Sequence, residues 1–140
     1  MKFIEKEIFV KLIQASEKLQ FECNKLFKPY GFTHQQYNVL RIVKGAGDQG
    51  LPTREIANRM INRLPDITRL IDRLKEKGLL KRRRLTKDRR VVRVSITQEG
   101  KELLDRLRKS VDNLHQKQFS QLTSDQKEML NKLLISIYNE

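Results

Sequence analysis

The chain has 140 residues, 38% hydrophobic and 34% charged, too apolar for a disordered chain and long enough for one domain with a proper core but not two large ones. Thirty Lys and Arg against seventeen Asp and Glu leave a formal charge of +13, the footprint of a partner for nucleic acid or an anionic surface. Cys23 stands alone, which excludes an internal disulfide, and MKFIEKEIFVKLIQ is broken by charge too often for a signal peptide or a membrane span, so a cytoplasmic protein with no membrane partner is expected.

In chain order, residues 3–28 place Ile4, Ile8, Leu12, Ala15, Leu19 and Leu26 on one stripe of a long helix, widened by Phe9, Ile13 and Phe27. Pro29 and Gly31 stop it. Thr33 and Gln36 then have the spacing of a capping box for a second helix carrying Tyr37, Leu40 and Val43 as far as KGAGDQG. Thr53 is the expected N-cap of a short third helix with Ile56, Ala57, Met60 and Ile61 on its apolar face. Pro65 suits the first turn of a fourth, whose Ile67, Leu70, Ile71 and Leu74 recur at helical spacing and which runs to about Lys77, with Gly78 as its stop. Its outer side presents Thr68, Arg69 and Asp72, with Asp66 and Arg73 on the flank.

LLKRRRL and VVRVSI have strand composition and are joined by TKDRR, which predicts a hairpin with a charged loop. Alternation puts Val92, Val94 and Ile96 on one face and Arg93 and Ser95 on the other. Thr97 caps a helix with Leu104, Leu107, Val111 and Leu114, and a second capping box, Thr123 with Gln126, opens a last helix with Met129, Leu130, Leu133, Leu134 and Ile137. The fold class is therefore mainly α with a small β-hairpin wing.

Two short helices joined by a tight break, the second sharply two-sided, followed at once by a basic hairpin, make a winged helix-turn-helix. A helix fits the DNA major groove, and a basic hairpin beside it reaches backbone and minor groove, where negative potential attracts Arg. Between Arg54 and Arg93 lie fifteen Lys or Arg and five Asp or Glu, +10 of the chain's +13, so the charge sits where this architecture uses it. The bland alternative is a basic hairpin that only solubilises the surface.

IANRMINRLPDITRLIDRLKEKGLLKRR followed by KDRRVVRVSITQEGKELL resembles the MarR family of bacterial winged-helix transcription regulators. The resemblance covers nearly the whole chain. It implies that Arg90 is the wing arginine entering the minor groove, that Asp88 steadies the wing by pairing with a nearby Arg, and that Pro65, Asp66, Thr68 and Arg69 sit in the major groove. Arg54, Arg63 and Arg73 complete the helical DNA-facing set, and Arg82, Arg84, Lys87 and Arg89 are expected as phosphate contacts. The family commonly carries small hydroxyl residues where this chain has Pro65 and Asp66, and a carboxylate facing DNA repels phosphate unless it accepts from cytosine or pairs with Arg69 or Arg73. For Arg69 and Arg73, partnership with Asp66, Asp72 or Asp88 stands beside the DNA role.

By the same resemblance, residues 1–32 and 98–140 form a dimerisation region around a winged region at 33–97. Two-fold symmetry then implies a homodimer on palindromic double-stranded DNA, a bacterial regulator associated with the nucleoid when bound. A ligand-responsive repressor is expected, with a crevice for a small aromatic or amphipathic ligand near Phe9, Ile13, Tyr37 and Leu107. Hydroperoxide-sensing members use a first-helix cysteine with tyrosines nearby, so Cys23 with Tyr30 and Tyr37 stands either as a sensor or as an ordinary half-buried thiol. The rival from another class is a winged-helix module for structured RNA or a protein partner. No enzyme, cofactor or dedicated metal site is expected: nothing pairs a nucleophile with a base, and His34 and His115 are the only histidines, with carboxylates such as Glu5 or Glu7 the remaining support for a metal.

Overall fold

Capping residues set most of the helix boundaries in this computed structural model, which describes residues 3–63, 66–85 and 88–139. Helix α1 spans Ile4–Phe27 and gives way to a 3-10 turn at Lys28–Tyr30, where Pro29 and a left-handed Gly31 turn the chain. Helix α2, His34–Gly45, opens on the expected capping box: Thr33 Oγ1 accepts from the Gln36 N–H at 3.3 Å and Gln36 Oε1 accepts from the Thr33 N–H at 3.0 Å. There follow β1 (Leu51–Pro52), α3 (Thr53–Arg59), α4 (Ile67–Glu76), β2 (Leu80–Leu85), β3 (Asp88–Ile96), α5 (Gln98–Gln118) and α6 (Ser124–Tyr138). Thr97 caps α5 and the second capping box, Thr123 with Gln126, opens α6.

Three boundaries differ from the sequence expectation, one of them the start of α4, which is Ile67 behind an Asp66 N-cap rather than a first turn containing position 65. Thr53 is the first helical residue of α3 and Pro52 stands at the N-cap with no side-chain bond, because Leu51 and Pro52 are held extended as an edge strand opposite Val94 and Arg93. An edge position tolerates a proline that cannot donate. The segment DRR, assigned above to the hairpin loop, belongs to β3. The sheet is three-stranded and antiparallel, in the order β1-β3-β2.

Register decides which arginine faces what. Cross-strand partners share a face, so Leu80, Arg82 and Arg84 lie with Ile96, Val94 and Val92, while Lys81 and Arg83 lie with Ser95 and Arg93. Val94 and Ile96 are buried, and so is Ser95 on the opposite face. The α2–β1 loop covers it: Arg93 Nη1 donates to the Gly50 carbonyl at 3.3 Å and Arg83 Nη2 to the Asp48 carbonyl at 3.1 Å.

The core gathers Val39, Leu40 and Val43 from α2, Ile56 from α3, Ile71 and Leu74 from α4, Val94 from β3 and Leu107 from α5, all fully excluded from water. Each such side chain contributes roughly 1.5–3 kcal/mol. Phe27 bridges this core to α1, stacked on Phe32 and Tyr37 with centroids at 5.2 and 4.5 Å. Thr97 ties α4 to α5: its hydroxyl donates to the Gly78 carbonyl at 2.6 Å and accepts from the Gly100 N–H at 3.1 Å.

The ends of the chain are different. Along α1, Ile4, Ile8, Phe9, Leu12 and Ile13 are all exposed, and on α6 so are Met129, Leu133 and Ile137; no residue of α6 is buried. Among the described residues, no helix is long and apolar enough to cross a membrane.

Candidate nucleic-acid interface and adjoining cleft

Helix α4 turns one side inward through Ile71 and Leu74, which leaves Thr68, Arg69 and Arg73 exposed on the other. Arg54 on α3 and Arg63 in the following link are exposed as well. Among the described residues, none of these four arginines enters an ion pair, so their guanidinium charge is available to an outside anion. Pro65 and Lys87 lie outside the described residues. Asp88, Arg89 and Arg90 begin β3 as backbone, and their side chains likewise lie outside what is described.

Asp66 is not paired with the guanidinium of Arg69 or Arg73. Its carboxylate is the N-cap of α4 and accepts from the Arg69 backbone N–H at 3.2 Å, which satisfies one of the free donors of the first turn and places negative charge at the positive end of the helix dipole. Asp72, expected on the open face, takes the guanidinium of Arg82 across from β2. That pair fastens the hairpin to α4, so Arg82 has a structural partner in addition to any phosphate. Arg83 and Arg93, absent from the expected set, hold the Asp48–Gly50 carbonyls; only the register could have separated them from Arg82 and Arg84.

The four residues expected to line a ligand crevice are not brought together. Phe9 and Ile13 are exposed toward the start of α1, and Leu107 is fully buried in the core. Tyr37 alone lines the cleft that does exist where α1, α2 and α5 meet, about 450 Å³ in volume, with Cys23, Leu26, Arg41, Val111 and Leu114 among its walls. Its apolar walls and its phenol, imidazole and guanidinium groups suit a small ring bearing a polar or anionic substituent. His34, Asn38 and Ile61 also line it. Burial pushes the Tyr37 phenol up and the His34 imidazole down, so both are neutral near pH 7. Burial likewise pushes the Cys23 thiol up, outweighing its hydrogen bond with Gln118, the opposite of the activation that a reactive thiolate requires. Among the described residues, no group of three His, Cys, Asp or Glu could hold a metal ion.

A family model, transcriptional regulator SarA/Rot, matches residues 22–107 of the chain. The HTH-type transcriptional regulator PapX of Escherichia coli is 30% identical over 131 residues, 91% of this chain and 80% of that protein. Among solved structures, a MarR transcription factor from Planctomyces limnophilus is 34% identical with a TM-score of 0.75, over 96% of this chain and 97% of that one. A cysteine-to-serine mutant of MarR from E. coli in complex with operator DNA is 27% identical with a TM-score of 0.83, over 98% and 99%.

Proposed function

We propose, because this chain belongs to the SarA/Rot family of transcriptional regulators and is a DNA-binding protein of MarR type, that it acts as a homodimeric, ligand-responsive repressor on a palindromic operator. The observation that carries the DNA contact is α4: Ile71 and Leu74 are buried while Thr68, Arg69 and Arg73 stand exposed on the opposite side beside a basic hairpin. Residues 33–97 are the reading unit. In a two-fold dimer the two copies of α4 enter successive major grooves about 34–36 Å apart.

Dimerisation is supported by the apolar residues of α1 and α6 that the single chain leaves in water. A groove between α5 and α6 is lined by Phe119, Leu130 and Leu134. Residues 1–32 and 98–140 are therefore assigned to the dimer, and light scattering at micromolar concentration should report about twice 16.6 kDa. The cleft around Tyr37 and Arg41 is assigned to a small aromatic or amphipathic effector. A panel of phenolic acids that shifts neither melting temperature nor DNA affinity would remove that assignment.

The wing offers the sharpest test. Lys87→Ala should weaken all duplexes alike and lower the slope of log K against log salt by roughly one, as loss of a phosphate contact does. Arg90→Ala should instead cost about 1–3 kcal/mol on the selected site, and more where its flank is A·T-rich, because a narrow minor groove strengthens the field at the guanidinium. Selection from random duplexes supplies that site. Recovery of no two-fold motif would favour a structured RNA or a protein as the partner.

A further inference from the structure

In the described part of the link between α3 and α4, Met60 packs against the core while Ile61 beside it is 82% exposed. Two side-chain amides from outside the helix pair also hold these residues. Asn38 Oδ1, on α2, accepts from the Ile61 N–H at 2.9 Å. Gln20 Oε1, on α1, accepts from Asn62 Nδ2 at 3.3 Å. Gln20 is itself fixed: its Nε2 donates to Ser16 Oγ at 2.7 Å, which commits Oε1 to accepting, and His34 Nε2 lies 3.0 Å from that same oxygen and must carry its proton there.

We propose that Gln20 and Asn38 are positioning residues for DNA recognition, which hold the α3–α4 link and so set the angle of α4 in the major groove. The lever is short but sensitive: α4 has ten residues. At about 15 Å long, it needs a tilt of only about 10° to move one end by roughly 2–3 Å, far beyond the tolerance of a base-edge hydrogen bond. The amides touch no DNA and act only through the link. Asn38, His34 and Ile61 also line the α1–α2–α5 cleft, so an occupant of that cleft lies against the same clasp. The inference rests on α4 being the DNA-reading helix, and the experiment includes a control for that premise.

Full-length Gln20→Leu, Gln20→Glu, Asn62→Ala and Arg69→Ala are titrated against the duplex selected by the wild type and a scrambled duplex at several salt concentrations, with thermal midpoints measured at one protein concentration. Gln20→Leu and Asn62→Ala each lose a hydrogen bond at the link and should lose about fivefold or more of the discrimination between duplexes, with an unchanged salt slope and a midpoint close to wild type. Gln20→Glu keeps the acceptor and should retain discrimination. The proposal is overturned if Asn62→Ala discriminates like wild type while Arg69→Ala does not, or if Gln20→Glu fails as badly as Gln20→Leu. If Arg69→Ala also discriminates normally, α4 is not the reading helix and the proposal falls with it. Should Gln20→Leu fold poorly, Asn62→Ala decides alone, because it changes only the link.

Discussion

Gly47 and Gly50 sit three residues apart in the α2–β1 loop with nearly the same backbone, φ +75° and +68°, but in different surroundings. An alanine at either meets the left-handed penalty of roughly 1–2 kcal/mol, offset in part by the lower entropy of its unfolded chain. At Gly47 that is the whole cost, because a Cβ there meets nothing within 4 Å. At Gly50 the Cβ would lie 2.3 Å from the Val94 carbonyl oxygen and 2.8 Å from its carbon. That strand backbone is paired on both sides and cannot yield, so β1 must separate from β3. We expect Gly50→Ala to cost about 3–4 kcal/mol and Gly47→Ala about 1 kcal/mol or less. For a chain of this size those costs correspond to midpoint drops of roughly 10–15 °C and no more than about 4 °C. Thermal unfolding followed by circular dichroism, at one protein concentration, measures both. Equal midpoints for the two variants would refute the steric argument and, with it, the role given to the α2–β1 loop in covering Ser95.

Asp66→Asn preserves the N-cap while removing a negative charge from the side proposed to face DNA; its midpoint should stay within about 2 °C of wild type and its DNA affinity should rise at low salt, whereas Asp66→Ala should cost about 1 kcal/mol of stability. His34 titrates lower in the folded chain than its ordinary 6.5, so the unfolded state takes up the proton first: its contribution to stability is fully present above about pH 6.5 and is lost as pH falls through the depressed folded value. Denaturant unfolding between pH 5 and pH 8 should show that slope, and His34→Gln should flatten it.

Local chemistry wrote itself into the sequence most clearly. Both capping boxes, the Thr97 cap and the inward stripe of α4 depend on residues within one or two turns of each other, and all four form. β1 escaped because a two-residue strand has no period to detect, and its pairing with β3 in turn displaced the N-cap of α3 from Thr53 to Pro52. The roles of Arg82 and Arg83 were hidden for a different reason: in a run of like charge only register separates the side facing Asp72 from the side facing the Asp48 carbonyl. The crevice implied by the family resemblance takes in Phe9 and Ile13, which stand exposed near the start of α1; a helical stripe looks the same in sequence whether it faces a cavity or solvent. Gln20, Asn38 and Asn62 carry no sequence signal, since their bonds join residues 23 and 42 positions apart.

In the proposed dimer, the uncovered residues of α1 and α6 would also make the response steep. With a partner chain as their cover, the DNA-competent species forms by a second-order encounter, and at chain concentrations below the dimer dissociation constant its abundance grows as the square of the amount of chain made. Halving synthesis would then cut operator-competent molecules about fourfold rather than twofold. In that dimer the same surfaces would make the protein vulnerable to its own defective copies. A chain with both terminal helices intact but the exposed arginines of α4 neutralised would still pair with wild type, and co-expression at equal levels should leave only about a quarter of all dimers with two working reading heads.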